Sequence, residues 1–128
     1  MIKTKVLVIG SGPGGYTAAF RAADLGNEVT LIESHKTLGG VCLNVGCIPS
    51  KTLLHTAEVI NEAKHANELG VTFKSPKIDI DGVRKNKEAI VSKLTGGIQA
   101  LAKARKVKVI TGYAKFLSKN QVVLDGTD

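Results

Sequence analysis

There is no tryptophan in this chain, and only three phenylalanines and two tyrosines. Proteins that hold nucleic acid without sequence preference stack bases on aromatic rings set among basic residues. That interleaving is absent, so the net charge of +7 reads as a lysine-rich solvated surface, and no nucleic acid is expected as a partner. No apolar run approaches the roughly 18 residues of a membrane span, so no membrane partner is expected either. Met1-Ile2-Lys3-Thr4-Lys5 passes straight into a strand-like segment and leaves no room for a leader. The expectation is a cytoplasmic location, where a permanent structural disulfide is uncommon and a catalytic one plausible. Cysteine is scarce as well, with two residues, and His55 stands eight residues beyond Cys47. Two ligands are too few for zinc, so no metal is expected.

What is present fits one domain with a real core: 128 residues, 43% of them hydrophobic, without repeats or a linker. Val6-Leu7-Val8-Ile9 is a continuous apolar run of the kind found in strands buried on both faces. Gly10-Ser11-Gly12-Pro13-Gly14-Gly15 follows at once and opens a helix-forming run to Leu25. Gly10, Gly12 and Gly15 occupy the three places of G-x-G-x-x-G, suited in turn to a tight turn, close approach to a pyrophosphate and close helix–strand packing. The free N–H groups at the helix start would receive the diphosphate, with Pro13 and Gly14 in the same turn. Ala19, Ala22 and Ala23 give the helix a small packing face. Glu28 to Ile32 is the next strand, closed by Glu33, 18 residues after Gly15. An acid there accepts hydrogen bonds from a ribose hydroxyl and repels a 2′-phosphate. Strand, turn, helix, strand and acid together predict a Rossmann-like dinucleotide unit.

Ser34 to Gly40 reads as a loop, with His35 exposed and Gly39 and Gly40 free to adopt unusual backbone angles. Cys42 and Cys47 follow it. An ideal helix sets residues five apart about 8.7 Å from each other, whereas a disulfide needs about 4.4–6.8 Å between Cα atoms. A bridge therefore requires a distorted turn, and a strained bridge is more easily reduced. From the residues alone a metal site, two buried free thiols and a redox pair compete.

Gly40-Val41-Cys42-Leu43-Asn44-Val45-Gly46-Cys47-Ile48-Pro49-Ser50-Lys51 resembles the redox-active segment of the pyridine-nucleotide–disulfide oxidoreductases. The likeness runs from about Val6 to Asp128 and covers the first domain of that family. It implies that the glycine turn binds FAD tightly, and that Cys42 is the interchange thiol and Cys47 the thiol nearer the flavin. Glu33 and Ser34 are implied ribose contacts, and Gly40, Val41, Cys42 and Lys51 lie by the cofactor. The Lys51 ammonium would favour negative charge on the reduced flavin and the Cys47 thiolate. Val41, Leu43 and Val45 sit best with the branch that oxidises protein-bound dihydrolipoamide and reduces NAD. Its partner would be the lipoyl domain of a 2-oxo acid dehydrogenase complex or of the glycine cleavage system, and the full-length parent would be a homodimer. The resemblance places the NAD domain, the interface domain and the acid–base pair beyond Asp128, so these 128 residues alone are expected to have no turnover. Two alternatives stand: a flavoprotein reductase acting on glutathione or a mercuric ion, and a non-enzymatic nucleotide-binding redox sensor.

Pro49 is expected to break or kink the chain between Cys47 and Lys51. Ser50 to Leu69 then reads as one helix, packed through Leu53, Ala57 and Ile60 and stopped by Gly70. Val71 to Lys77 is a loop. A long helix should run from an N-cap in Asp79-Ile80-Asp81 to about Ala104, with Val83, Ile90, Leu94, Ile98 and Leu101 as its apolar stripe. Gly96-Gly97 within it suggests a close helix crossing, placed by the resemblance near the dimer contact. Val107 to Thr111 is a strand. Gly112 and Ala114 follow, where the resemblance brings backbone against adenine. Lys115 to Leu117 and Gln121 to Leu124 form an antiparallel hairpin. The expected fold is α/β, a parallel sheet with helices on both faces plus the hairpin, its last parallel strand missing beside Val6–Ile9.

Overall fold

The computed structural model describes residues 1–125, so Asp128, the expected domain end, lies outside them. The order is β1 (Val6–Ile9), α1 (Pro13–Asp24), β2 (Val29–Glu33), α2 (Gly40–Asn44) and α3 (Cys47–His65). A 3-10 turn (Ala66–Leu69), α4 (Ile80–Ala104), β3 (Lys108–Thr111), β4 (Tyr113–Ser118) and β5 (Gln121–Asp125) follow. β1, β2 and β3 form a parallel sheet in that order, with Val8 beside Leu31 and Leu31 beside Val109. β4 and β5 pair antiparallel as a separate ribbon. This is the Rossmann-like arrangement the glycine turn implies.

β2 is central, and all five of its residues are buried. α1 starts with Pro13, where the missing N–H loses nothing. Gly15 brings the helix down on the sheet: a Cβ there would stand 1.9 Å from the Gly10 carbonyl oxygen and 3.7 Å from a Val8 methyl. Ala19, Phe20, Val29, Leu31, Leu38, Ala102 and Val107 form the core, joining α1 and α4 to one face of the sheet. Each large side chain among them contributes about 1.5–3 kcal/mol by leaving water. On the opposite face Leu7 and Ile9 of β1 remain 37% and 44% exposed. Their neighbours on that face in the central strand, Thr30 and Ile32, are buried.

Three local expectations are corrected. α3 begins at Cys47, not Ser50, which puts Pro49 third in the helix. The N–H groups of the first turn have no intrahelical partner, so a proline there removes nothing and no kink follows. α3 also faces inward by other residues than Leu53 and Ala57, which are exposed; Thr52, Thr56 and Ala63 are half-buried instead. The threonines can turn inward because their hydroxyls donate to the carbonyls of Ile48 and Thr52 at 2.8 and 3.1 Å. In α4 the buried residues are Thr95 and Ala102, while Leu94 and Leu101 are 41% and 44% exposed. Among the described residues a Cβ on Gly96 or Gly97 would meet no atom within 4 Å, which leaves that face of α4 open. The Asp79 N-cap holds as expected, its carboxylate accepting from the Asp81 amide at 3.1 Å.

Candidate functional site

The carboxyl ends of the parallel strands are stitched together. The Gly10 amide donates to the Ile32 carbonyl at 2.8 Å, and the Gly112 amide to the Glu33 carbonyl at 2.9 Å. Open α/β sheets bind ligands at this end. Here α1 presents its first turn with no side-chain cap and no acidic residue. A Cβ on Gly12 or Gly14 would meet nothing within 4 Å, so open space fronts those amides. Uncapped amides before open space at the start of a 12-residue helix suit a diphosphate. Pro13 and Gly14 are exposed beside it.

Glu33 is 5% exposed and fully engaged by the protein. Its Oε2 accepts from the Ser11 amide at 2.9 Å and the Ser11 hydroxyl at 2.5 Å. Its Oε1 accepts from the His35 amide at 2.9 Å and the Ser34 hydroxyl at 3.2 Å. A carboxylate has about four acceptor positions, so all are taken. Burial pushes the Glu33 carboxyl upward, but the hydrogen bonds from the Ser11 hydroxyl, the His35 and Ser11 amides and the Ser34 hydroxyl outweigh it, and the net shift is downward. A ribose hydroxyl reaching Glu33 would displace the long Ser34 bond, whose donor lies on the exposed side.

The cysteine segment is fastened to the same turn. The Gly39 amide donates to the Ser11 carbonyl at 2.9 Å and lies 3.2 Å from the Ser11 hydroxyl. Gly40 follows with φ +61°, and a Cβ there would lie 2.6 Å from Gly12 Cα. Only glycine combines that left-handed backbone with so close an approach. α2 thus springs from the glycine turn, carrying Val41, 72% exposed, and Cys42, half-buried. Asn44 secures the segment: its amide donates to the carbonyls of Leu38 and Gly40, and its Oδ1 accepts from the Thr37 hydroxyl.

Cys42 is the middle residue of the five-residue α2 and Cys47 opens α3, with the helical path broken at Val45-Gly46. The distortion expected between the two cysteines is thus a complete helix break. Both are free thiols. Hydrogen bonding to the Cys47 thiol, burial and the nearby Cys47 charge raise the Cys42 thiol, while the Cys47 amide and the Lys51 ammonium pull it down; the net is upward. Cys42 therefore answers to Cys47, and Lys51 lies within electrostatic reach of Cys42. Gly112 leads from β3 into the ribbon, where Ala114 pairs with Leu124.

The structure thus brings Gly10, Gly12, Pro13, Gly14, Gly15, Glu33, Ser34, Gly40 and Gly112 around one end of the sheet, with Cys42, Cys47 and Lys51 following on the α2–α3 segment that starts there. Ser11 and Asn44 were not evident from sequence, whereas the freedom expected of Gly39 is used, at φ +109°. The only hint of Ser11 is a small polar residue inside a turn that must be buried; for Asn44 it is an amide side chain ending a short helix. Among the described residues no three histidine, cysteine or acidic side chains form a metal-holding group, and no helix is long and apolar enough to cross a membrane.

A family model for the pyridine nucleotide-disulphide oxidoreductases matches residues 4–128. A dihydrolipoyl dehydrogenase of Haemophilus influenzae is 59% identical over 127 residues, 99% of this chain and 27% of that protein. A dihydrolipoyl dehydrogenase of Vibrio cholerae is 57% identical over 127 residues, again 99% of this chain and 27% of the relative. One of Bacillus subtilis is 50% identical over 121 residues, covering 94% of this chain and 26% of that protein. The chain spans about a quarter of the length of these curated relatives.

Proposed function

Because this chain belongs to the pyridine nucleotide-disulphide oxidoreductase family, we propose that it is the FAD-binding, cysteine-bearing part of a dihydrolipoyl dehydrogenase. The observation that supports the reading is the fastening of Gly39 and Gly40 to Ser11 and Gly12, which ties the start of the cysteine segment to the glycine turn. The residues present fit the cofactor. The amides at the α1 start would hold the pyrophosphate, Glu33 and Ser34 the ribose, and the backbone of Gly112 and Ala114 the adenine. Val41, Cys42 and Lys51 would serve the flavin end.

In the working cycle Cys42 and Cys47 begin as a disulfide. A thiolate of the protein-bound dihydrolipoyl group attacks Cys42 Sγ, forming a mixed disulfide and releasing Cys47 as thiolate. The second substrate thiolate then attacks the lipoyl sulfur bonded to Cys42, closing the lipoyl ring and releasing Cys42 as thiolate. Two electrons pass from substrate to the cysteine pair, and the substrate's protons must leave through a base. FAD, when bound, would supply the two-electron chemistry that links the cysteine pair to NAD. Lys51 supplies positive charge beside the cysteines. The partner is the lipoyl domain of a 2-oxo acid dehydrogenase complex or the glycine cleavage system, and the full-length protein works as a homodimer in the cytoplasm.

The test is the full-length protein. It should purify yellow, show a long-wavelength band on two-electron reduction, and reduce NAD with dihydrolipoamide far faster than it acts on glutathione disulfide or mercuric ion. A colourless protein, or a preference for either of the latter, would overturn the assignment. The 128 residues alone should give no NADH from dihydrolipoamide.

A further inference from the structure

Ser11 is fully buried, and its hydroxyl lies between Glu33 Oε2 at 2.5 Å and the Gly39 amide at 3.2 Å. The hydroxyl proton goes to the carboxylate, and a hydroxyl lone pair receives the Gly39 N–H. Hydrogen bonds in such a chain polarise one another, and a charge at one end strengthens the whole. The end of β2, the glycine turn and the start of the cysteine segment are therefore joined through one oxygen atom.

We propose that Ser11 is a positioning residue that uses the buried charge of Glu33 to fix the start of α2, and with it the placement of Cys42 and Cys47 against the nucleotide. The inference rests on the flavoprotein reading above and adds to it a role for this buried hydroxyl. The geometry separates this role from holding the fold. Removing the hydroxyl leaves the Ser11 amide on Glu33 at 2.9 Å and the Gly39 amide on the residue-11 carbonyl at 2.9 Å. Both remaining bonds are backbone to residue 11, so the segments stay attached. What is lost is the charged link that limits how α2 swings about that attachment. A small misplacement of reacting groups is enough to slow a reaction many-fold.

The experiment uses the full-length flavoprotein and Ser11→Ala. Expected are near wild-type FAD content, an at least twofold weaker long-wavelength band per bound flavin after two-electron reduction, and a kcat lowered at least fivefold with KM within twofold. Ser11→Cys, which keeps the size but is a weaker donor, should lie between the two, and serves in place of Ser11→Ala if that variant does not fold. A band and kcat equal to wild type in the variant would overturn the inference, as would losses that follow FAD content alone. A wild-type protein without the band would instead remove the flavoprotein reading, and this inference with it.

Discussion

At Gly40 two constraints meet in one residue: a left-handed backbone, φ +61°, and a Cβ position 2.6 Å from Gly12 Cα. Left-handed strain in a non-glycine residue costs about 1–3 kcal/mol, and the neighbour here is backbone, which cannot swing aside. Gly40→Ala should therefore lower stability by more than about 2 kcal/mol and strip FAD from the full-length protein, because relief requires α2 to move off the glycine turn. The flavin-to-protein ratio and the urea midpoint check this; unchanged values would mean the approach is looser than drawn. Glu33 offers a second residue-scale test. Its folded carboxyl is held below the ordinary range. The folded state therefore binds its proton less readily than the unfolded chain, and Glu33 adds stability above the ordinary carboxyl value. That stability disappears as pH falls from about 4.3 through the lower folded value. In Glu33→Gln this part of the acid slope should vanish, visible in unfolding midpoints measured between about pH 2 and 7. A slope identical to wild type would show that the four hydrogen bonds do not favour the charged form.

Among the elements, those with local signals were legible. β1, the glycine turn, α1 and β2 each announce themselves within a few residues, and Asp79 marks the start of α4. The entry to α3 was not legible in the same way. Pro49 looks like a breaker when the helix is started at Ser50, but it is harmless once Cys47 is the first residue. The leucines misled for a different reason. Leu53, Leu94 and Leu101 trace helical stripes, yet Thr52, Thr56, Thr95 and Ala102 take the inward places, where small or self-bonded side chains let helices approach. The Ser11–Glu33 link spans 22 positions and exists only once β2 lies beside β1. No local pattern could reveal it. The Pro49 reading can be tested at this scale. Pro49→Ala should leave the Cys47–Lys51 geometry intact and lower stability by at most about 1 kcal/mol, through the freer unfolded chain. A changed thiol–disulfide equilibrium in that variant would restore the kink.

For the molecule as a whole, the exposed area is the telling quantity. The chain exposes 9406 Å², whereas a compact protein of 13.5 kDa exposes roughly 6,500 Å². Leu53, Leu54 and Val59 on α3, Leu94 and Leu101 on α4, and Phe116 and Leu117 on the ribbon all face outward. Relatives four times as long have further surface with which to cover such faces. Gly96-Gly97 lies on α4 with nothing within 4 Å of either Cβ position, so it discriminates between an open face and a covered one. In the 128 residues by themselves, Gly96→Ala and Gly97→Ala should each raise stability by about 1 kcal/mol, the ordinary gain of alanine over glycine inside a helix. In the full-length protein, if a second subunit crosses α4 at this pair, the same changes should instead destabilise the assembly and shift it toward monomer in sedimentation velocity. A gain in both settings would mean that the glycines face solvent throughout, and that the subunit contact lies elsewhere.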